Sequence, residues 1–315
     1  MNPLGQVLIA LVCLMPLAVY CQVRLTPYAG TGYDMFVGNP KTDGVDPGFR
    51  NQIFQLTYAN GLSTSDNVYL IPDGFDVKTT TSCSYSASSS EYTGTTQYQS
   101  SLDVLAKMSV GYNSGITKAK FTASTEYSKT ESSIQSQTTI LIESTAVCQA
   151  YRLNAPLFDN SVKLTTNFIN GINRAYNGFT AWENIIDSFG THIATETIMG
   201  GRTHLRHSIA RTSYQKMTAM GLNVAATASF AYAAWSGDAS VQTKTNETEI
   251  KTFNQNVQST KEIYVGGRPP KGGSWIDWQN SVKSDTAPIQ YKLVPITQLF
   301  TSVFFTNYTQ TQLSE

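Results

Sequence analysis

A change of periodicity between residues 182 and 207 constrains the fold more than any other stretch of the sequence. Its first part carries large apolar residues at i, i+3, i+4 and i+7, one face of a two-turn helix: Trp182, Ile185, Ile186 and Phe189. Gly190 follows at the position of a helix C-terminal cap. β-branched residues dominate 191–198 and favour a strand. The sequence therefore predicts a helix that ends at Gly190 and leads directly into a long strand, with a bend or bulge at the pair Gly200 and Gly201.

Four strands are predicted in all, including the strand after Gly190. The first alternates apolar or β-branched residues with polar ones, and the second is more apolar and therefore more buried. Their approximate ranges are 75–87, 138–153, 191–217 and 261–265. Helical spacing at 157–176 predicts a further helix, which precedes the helix that ends at Gly190. Residues 28–54 are rich in turn formers and are expected to be irregular.

The N-terminus predicts a secretory route. Residues 7–19 form an apolar run that is too short to span a bilayer comfortably, so we interpret residues 1–21 as a signal peptide. The alternative is a retained anchor. The mature chain would then be a single domain covering 22–315. Glycosylation sequons at Asn246 and Asn307 suit the same route.

The four cysteines fall into two groups. Cys13 and Cys21 lie in the predicted signal peptide, so Cys83 and Cys148 would be the only cysteines of the mature chain. Two cysteines in an oxidising compartment are expected to form a disulfide, and buried free thiols are the alternative.

Two segments between the predicted strands alternate in a way that suits a transmembrane hairpin. In 102–112 and again in 222–234 the even positions are apolar or small, and the polar residues fall at odd positions, such as Asp103 and Lys107 in the first segment and Asn223, Thr227 and Ser229 in the second. Each limb is long enough for a tilted strand to cross a bilayer, with one face toward lipid and the other toward a water-filled lumen. The candidate membrane-inserting residues are Leu102, Val104, Met108, Val110, Leu222, Val224, Phe230 and Tyr232. The same alternation also fits an ordinary β-sandwich or lectin.

One motif in the sequence resembles the signature of the membrane-attack-complex/perforin (MACPF) family. It consists of an aromatic residue, six intervening residues and the run Phe-Gly-Thr-His. The matching residues are Trp182, Phe189, Gly190, Thr191 and His192. The family usually has Tyr in place of Trp182, and Phe or Tyr where this chain has Ile193. The turn-rich run at 28–54 is similar to a run that recurs at the start of the domain in perforin-like proteins. The resemblance covers about residues 25–305.

This resemblance implies an α+β fold: a bent and twisted four-stranded antiparallel sheet flanked by helices. It implies two helical insertions, at about 88–136 and 217–258, that can become β-hairpins. Gly200 and Gly201 would be the hinge of the sheet, and His192 would be a structural residue that holds the signature helix to it.

The function implied is that of a secreted pore-forming protein. Such a protein assembles into a homo-oligomeric ring on the membrane of a target cell, in defence or in attack on cells. The alternative within the family is a non-lytic secreted protein with an adhesion or developmental role.

Composition argues against other classes of function. The formal net charge is zero and the pI is about 6.8, so no broad attraction to nucleic acid or anionic lipid is encoded, and any membrane attachment must be local. The three histidines do not form a zinc-binding motif, and no nucleophile elbow, phosphate loop or dinucleotide fingerprint is present. We therefore expect neither an enzyme nor a bound cofactor or metal.

Overall fold

The computed structural model describes residues 23–25, 27–67, 69–108, 120–157, 162–178, 180–236, 247–268, 275–301 and 304–305. The predicted signal peptide, Val110 and both sequon asparagines, Asn246 and Asn307, lie outside these residues.

Ten strands and eight α-helices occur in the described part of the chain. The strands are β1 (Val23–Arg24), β2 (Thr31–Tyr33), β3 (Phe49–Gln52), β4 (Tyr69–Leu70), β5 (Asp76–Tyr92), β6 (Ala106–Met108), β7 (Thr139–Asn154), β8 (His192–Ala210), β9 (Val257–Val265) and β10 (Ala287–Pro295). The helices are α1 (Thr95–Leu105), α2 (Thr125–Gln135), α3 (Thr166–Tyr176), α4 (Trp182–Phe189), α5 (Arg211–Ala219), α6 (Val224–Ser236), α7 (Glu247–Asn256) and α8 (Trp275–Ser284). A 3-10 turn at Ile296–Leu299 follows β10.

The four predicted strands are the long strands of the central sheet. They are adjacent and antiparallel in the order β5-β7-β8-β9. The sheet nevertheless has eight strands rather than four: β10 pairs with β8, β6 pairs in parallel with β10, and β2 and β3 extend the other side. The extra strands are mostly too short to show a period in the sequence, and their pairing depends on partners far away in the chain.

The other differences from the sequence predictions are at element boundaries. The strand after the joint ends at Ala210 rather than near Met217, because the helix α5 begins at Arg211. The helix predicted for 157–176 begins at Thr166, where Thr165 caps it by accepting a hydrogen bond from the Phe168 N–H. The segment 28–54 is not wholly irregular, since it contributes β2 and β3.

In the residues that the structure describes, both predicted insertions are mainly helical, as the resemblance implies. The first contains α1 and α2 together with the short strand β6, and the second contains the last turn of α5, all of α6 and all of α7. No helix in the described ranges is long and apolar enough to cross a membrane.

The two insertions cover opposite faces of the same half of the sheet, where 139–149 of β7 pair with 200–210 of β8. Alternate residues of a strand face opposite sides. On one side, Leu141 packs with Tyr98 of α1 and Tyr127 of α2. On the other side the sheet packs against α5, α6 and α7 in one apolar cluster of Ile140, Ile142, Ile209, Met217, Val224, Ala228 and Phe253.

Candidate functional site

The signature helix α4 has the predicted bounds and ends at Gly190. Its inner side is buried: Ile185 and Phe189 lie in the main core, and the Phe189 ring meets Phe168 of α3 edge-to-face at 5.0 Å between centroids. The other two members of the predicted apolar face are only partly covered, with Trp182 45% and Ile186 37% exposed. The first signature residue therefore lies at the surface.

Two glycines explain why the signature and the turn-rich run at 28–54 occur together. Gly190 has a φ of +78° and lies against the Tyr33 backbone, where a Cβ would overlap the Tyr33 carbonyl. Gly32 in turn lies against the Phe189 carbonyl oxygen, and a Cβ there would overlap it. Each segment therefore needs a glycine where the other segment's backbone passes, so the two motifs form one interlocked joint.

Thr191 and His192 complete this joint. The Thr191 N–H donates to the Tyr33 carbonyl at 3.0 Å, and its hydroxyl lies 2.9 Å from His192 Nδ1. His192 is buried in β8 opposite Pro295 of β10. Burial, with a smaller contribution from the charge of Lys120, lowers its pKa to about 4, so the imidazole is neutral at physiological pH. These contacts hold the start of β8 against Tyr33 and β10, so the role of Thr191 and His192 in this structure is to support the fold.

The pair Gly200 and Gly201 lies where β8 changes neighbours. On one edge β10 pairs with 192–200 and β9 pairs with 202–209. The register shifts in both flanking strands at this level, between Gln149 and Tyr151 of β7 and between Pro288 and Gln290 of β10. β8 itself runs through without interruption, so the irregularity that we predicted at the glycines lies in the strands beside them. Bulges of this kind increase local twist and bend a sheet.

Both glycines are also sites of close approach. A Cβ at Gly200 would overlap the Cys148 carbonyl oxygen on β7, and a Cβ at Gly201 would meet Val282 of α8. Any side chain here would push either β7 or α8 away from β8.

A buried cluster of charges crosses the sheet beneath the first insertion. Glu143 of β7 is directly opposite Arg206 of β8 and accepts from its Nε at 2.6 Å, and it also accepts from Lys41 Nζ. Burial alone would raise the pKa of Glu143, but the charges of Lys41 and Arg206 outweigh burial and hold that pKa well below its usual range. Burial lowers the pKa of Lys41, and the charge of Glu143 opposes that shift. The carboxylate is therefore ionised and balanced by two cations.

This cluster, which we call the charge clasp (Lys41, Glu143 and Arg206), touches both helices of the first insertion. The Arg206 guanidinium lies 5.7 Å from the centre of the Tyr98 ring of α1. Glu126 of α2 lies 4.0 Å from Arg206 Nη1, and it also accepts a hydrogen bond from the Thr42 hydroxyl at 3.0 Å and pairs with Lys261 of β9. The clasp therefore holds α1 and α2 to the sheet through polar contacts.

Small polar groups add to the apolar cluster that holds the second insertion to the sheet. The Ser89 hydroxyl on β5 lies 2.6 Å from the Ser144 hydroxyl on β7 and 2.8 Å from the Ser229 hydroxyl on α6. Val224 and Tyr232 anchor the two ends of this contact and are buried. The interface of α6 with β5 thus depends on hydroxyl groups and small side chains at its centre.

The predicted membrane-inserting residues do not share one surface in this structure. Leu102, Val224 and Tyr232 are fully buried, whereas Val104 is 58% exposed. Met108, Leu222 and Phe230 are half-buried. A helix distributes residues with a period of 3.6, so positions that would line one face of a strand are spread around it.

Cys83 and Cys148 are joined by a disulfide. They are directly opposite each other on β5 and β7, and Cys148 is opposite Gly201 on β8. The bridge therefore lies at the level of the glycine pair.

Sequence reasoning missed the charge clasp. Two signals were present: Glu143 directly follows the apolar run 140–142 on a strand predicted to be buried, and Arg206 lies on the next predicted strand, four residues after Arg202 and hence on the same face. A charge on a buried strand is rarely tolerated without a partner.

A sequence model of the MAC/Perforin domain matches residues 22–315. The chain belongs to the MAC/Perforin family. The predicted family and the mixed α/β fold with an antiparallel sheet are therefore confirmed.

Two solved structures are similar to this MAC/Perforin chain. GNIP1Aa from Chromobacterium piscinae has a TM-score of 0.64 and 16% identity, over 91% of this chain and 53% of that chain. A Bacteroides thetaiotaomicron protein described as a cell invasion protein with a MAC/Perforin domain has a TM-score of 0.55 and 11% identity, over 94% of this chain and 62% of that chain. The chain thus spans less than two thirds of either structure, and such identities show the fold alone.

Proposed function

We propose that this MAC/Perforin protein is secreted, assembles into a ring on a target-cell membrane and inserts both insertions as β-hairpins to form a pore. Its context would be defence or attack on cells. Family membership supports perforin-like pore formation in general. The finer proposal rests on the sequence of α6.

The helix α6 carries a sequence that suits two structures. As a helix it buries Val224, Ala228 and Tyr232 at i, i+4 and i+8. As a strand, the same residues share the even face with Phe230, and Thr227 and Ser229 occupy the odd face. Alanine and serine fit either environment because they are small, so neither period is excluded. A segment that changes from helix to hairpin needs this ambiguity.

The way the insertions are held supports their release. Besides their apolar contacts, both interfaces contain polar groups, the hydroxyl pairs at α6 and the charged groups at the clasp, and these groups can exchange their protein partners for water when the insertions leave the sheet. Gly200 and Gly201 would then be the hinge where the sheet opens, as the bulges beside them suggest.

Ala225 and Ala226 provide a matched test. Both are half-buried on α6, so arginine at either position perturbs the soluble fold to a similar degree. In a hairpin, Ala226 would face lipid with Val224, and Ala225 would face the lumen with Thr227. Arginine in the hydrocarbon midplane costs about 2–4 kcal/mol, and this cost recurs in every subunit of a ring.

We expect Ala226→Arg to abolish dye release from liposomes while surface binding persists, and Ala225→Arg to retain release with altered conductance. Circular dichroism and thermal unfolding of both variants control for folding. Equal release by the two variants would refute a membrane-spanning strand at α6. Absence of release by the wild type on every membrane tested would favour the non-lytic adhesion or developmental role.

A further inference from the structure

A charged cleft lies on the half of the sheet that does not carry the charge clasp. Its volume is about 500 Å³. Four adjacent strands form it, and its lining is Lys107 and Met108 of β6, Gln290, Tyr291 and Lys292 of β10, Glu196 and Ile198 of β8, and Arg152 of β7. The register places Lys107 opposite Lys292, Lys292 opposite Glu196, and Arg152 opposite Ile198, so these side chains share one face.

Like charges meet twice on this face. Lys107 and Lys292 are direct cross-strand partners, and Lys78 of β5 is the direct partner of Arg152. Directly opposed like charges destabilise a sheet unless something else compensates for them. In the described ranges, neither the Lys107 nor the Lys292 ammonium group has a hydrogen-bond or ion-pair partner.

The acidic groups nearby do not neutralise this cluster. Glu196 is the carboxylate in the cleft, and it lies 3.6 Å from Arg152 Nε. Asp76 of β5 is the cross-strand partner of Asn154, which is itself opposite Glu196, and its carboxylate accepts a hydrogen bond from the Asn154 side-chain amide at 3.1 Å. The cleft therefore has an excess of positive charge in a chain whose formal net charge is zero.

We propose that this cleft binds a phosphate or sulfate ester group. Arginine presents a planar fork that suits a tetrahedral oxyanion, and lysines add point charges around it. The cleft is larger than one oxyanion, and Ile198 in its lining adds apolar surface for the organic part of the ligand. A phospholipid headgroup and a soluble phosphorylated or sulfated molecule offer the same group.

The site also has a consequence for insertion, and this part rests on the proposed function. Lys107 belongs to the first insertion, whereas Lys292 and Arg152 belong to the core sheet. The three cations meet only while the three-residue strand β6 is paired with β10. A ligand stabilises the state that binds it better, so the bound anion keeps the first insertion docked and delays its release.

Binding can be tested on the soluble protein without any assay of lysis. At constant ionic strength, replacing chloride by sulfate or inorganic phosphate should raise the Tm by about 2–4 °C. Lys107→Gln and Lys292→Gln should each remove most of this shift. Lys163→Gln, at an exposed lysine outside the cleft, should keep it. An absent shift, or an equal shift in all variants, counts against a site for the free anion.

The source of the group is decided with vesicles. Phosphatidylcholine vesicles with and without phosphatidic acid are used in co-sedimentation. Binding that requires phosphatidic acid and is weakened by Lys107→Gln or Lys292→Gln, but not by Lys163→Gln, identifies a lipid headgroup. The proposal is overturned if neither the Tm shift nor vesicle binding depends on the cleft lysines.

The effect on insertion is measured separately. If the wild type releases dye, sulfate should lengthen the lag before release, and Lys292→Gln should abolish that dependence. If the wild type releases no dye but still binds the anion through the cleft lysines, pore formation is refuted and the binding site is retained.

Discussion

Gly190 shows how one residue can join two distant segments. It ends α4, adopts a φ of +78° and a ψ of −170°, and lies against the backbone of Tyr33. This region of backbone space is essentially restricted to glycine, so both the local turn and the tertiary contact require the same residue.

At this scale we predict a large loss of stability for Gly190→Ala. Backbone strain and the overlap with Tyr33 together should lower the free energy of unfolding by at least about 3 kcal/mol. Gly178→Ala is the control, because Gly178 also has a positive φ, +71°, but nothing lies within 4 Å of a Cβ there. It should cost only about 1–2 kcal/mol. Urea unfolding of both variants measures the difference, and equal losses would show that the joint is not tightly packed.

At the scale of elements, the helices of the two insertions are held by contacts of different chemistry. The first insertion contacts a charge clasp, and the second lies on serine hydroxyls and a small apolar cluster. Because the clasp is buried and ionised, acid pH should weaken the attachment of the first insertion to the sheet. Serine hydroxyls do not titrate in this range, so they should not make the attachment of the second insertion depend on pH.

We predict that Glu143→Gln lowers the free energy of unfolding by about 3–5 kcal/mol at neutral pH, because Lys41 and Arg206 are left buried without their anion. The folded-state pKa of Glu143 is below its ordinary value, so the stability that it contributes is complete above about pH 5 and falls as the pH decreases through the acid range. The wild type should therefore lose more stability between pH 5 and pH 3 than the variant does.

Asp187→Asn, at an exposed carboxyl of α4, is the control for general acid effects. It should keep the pH dependence of the wild type. Parallel pH profiles for Glu143→Gln and the wild type would argue against an ionised clasp.

At the scale of the whole molecule, the disulfide and the glycine pair lie at the same level of the sheet. The bridge joins β5 to β7 across 65 residues of sequence, which include the entire first insertion. The two strands that flank this insertion are therefore covalently held together while the insertion itself is attached by noncovalent contacts.

We predict that the double variant Cys83→Ser and Cys148→Ser loses about 2–4 kcal/mol of stability, because the unfolded chain regains the freedom of a long loop. Changing the neighbouring cross-strand pair, Ser82→Ala and Gln149→Ala, should cost far less. Non-reducing peptide mapping of protein from a secretory host should find the two cysteine peptides linked. Two free thiols in that protein would contradict the prediction.

What the sequence determined by itself is local. The spacing of Trp182, Ile185 and Phe189 and the glycine after them set the bounds of α4, because helix period and capping depend only on neighbours in the chain. Alternation likewise predicted most of β5, and a high content of apolar residues predicted β7. The predicted strands located the two insertions between them, whereas the helical conformation of the insertions was implied by the resemblance to the family.

What only the tertiary structure decided is long-range. The residues around Leu102 alternate like a strand, yet 95–105 form a helix, because Tyr98 and Leu102 are buried together against the sheet. The segment mixes good helix formers with Ser, Thr and Val, so its local propensity is weak and packing outweighs the local pattern there. The pairing of β6 with β10 and the meeting of Lys41 with Glu143 join residues far apart in sequence. No local period encodes such contacts, because they form only when the sheet brings distant segments together.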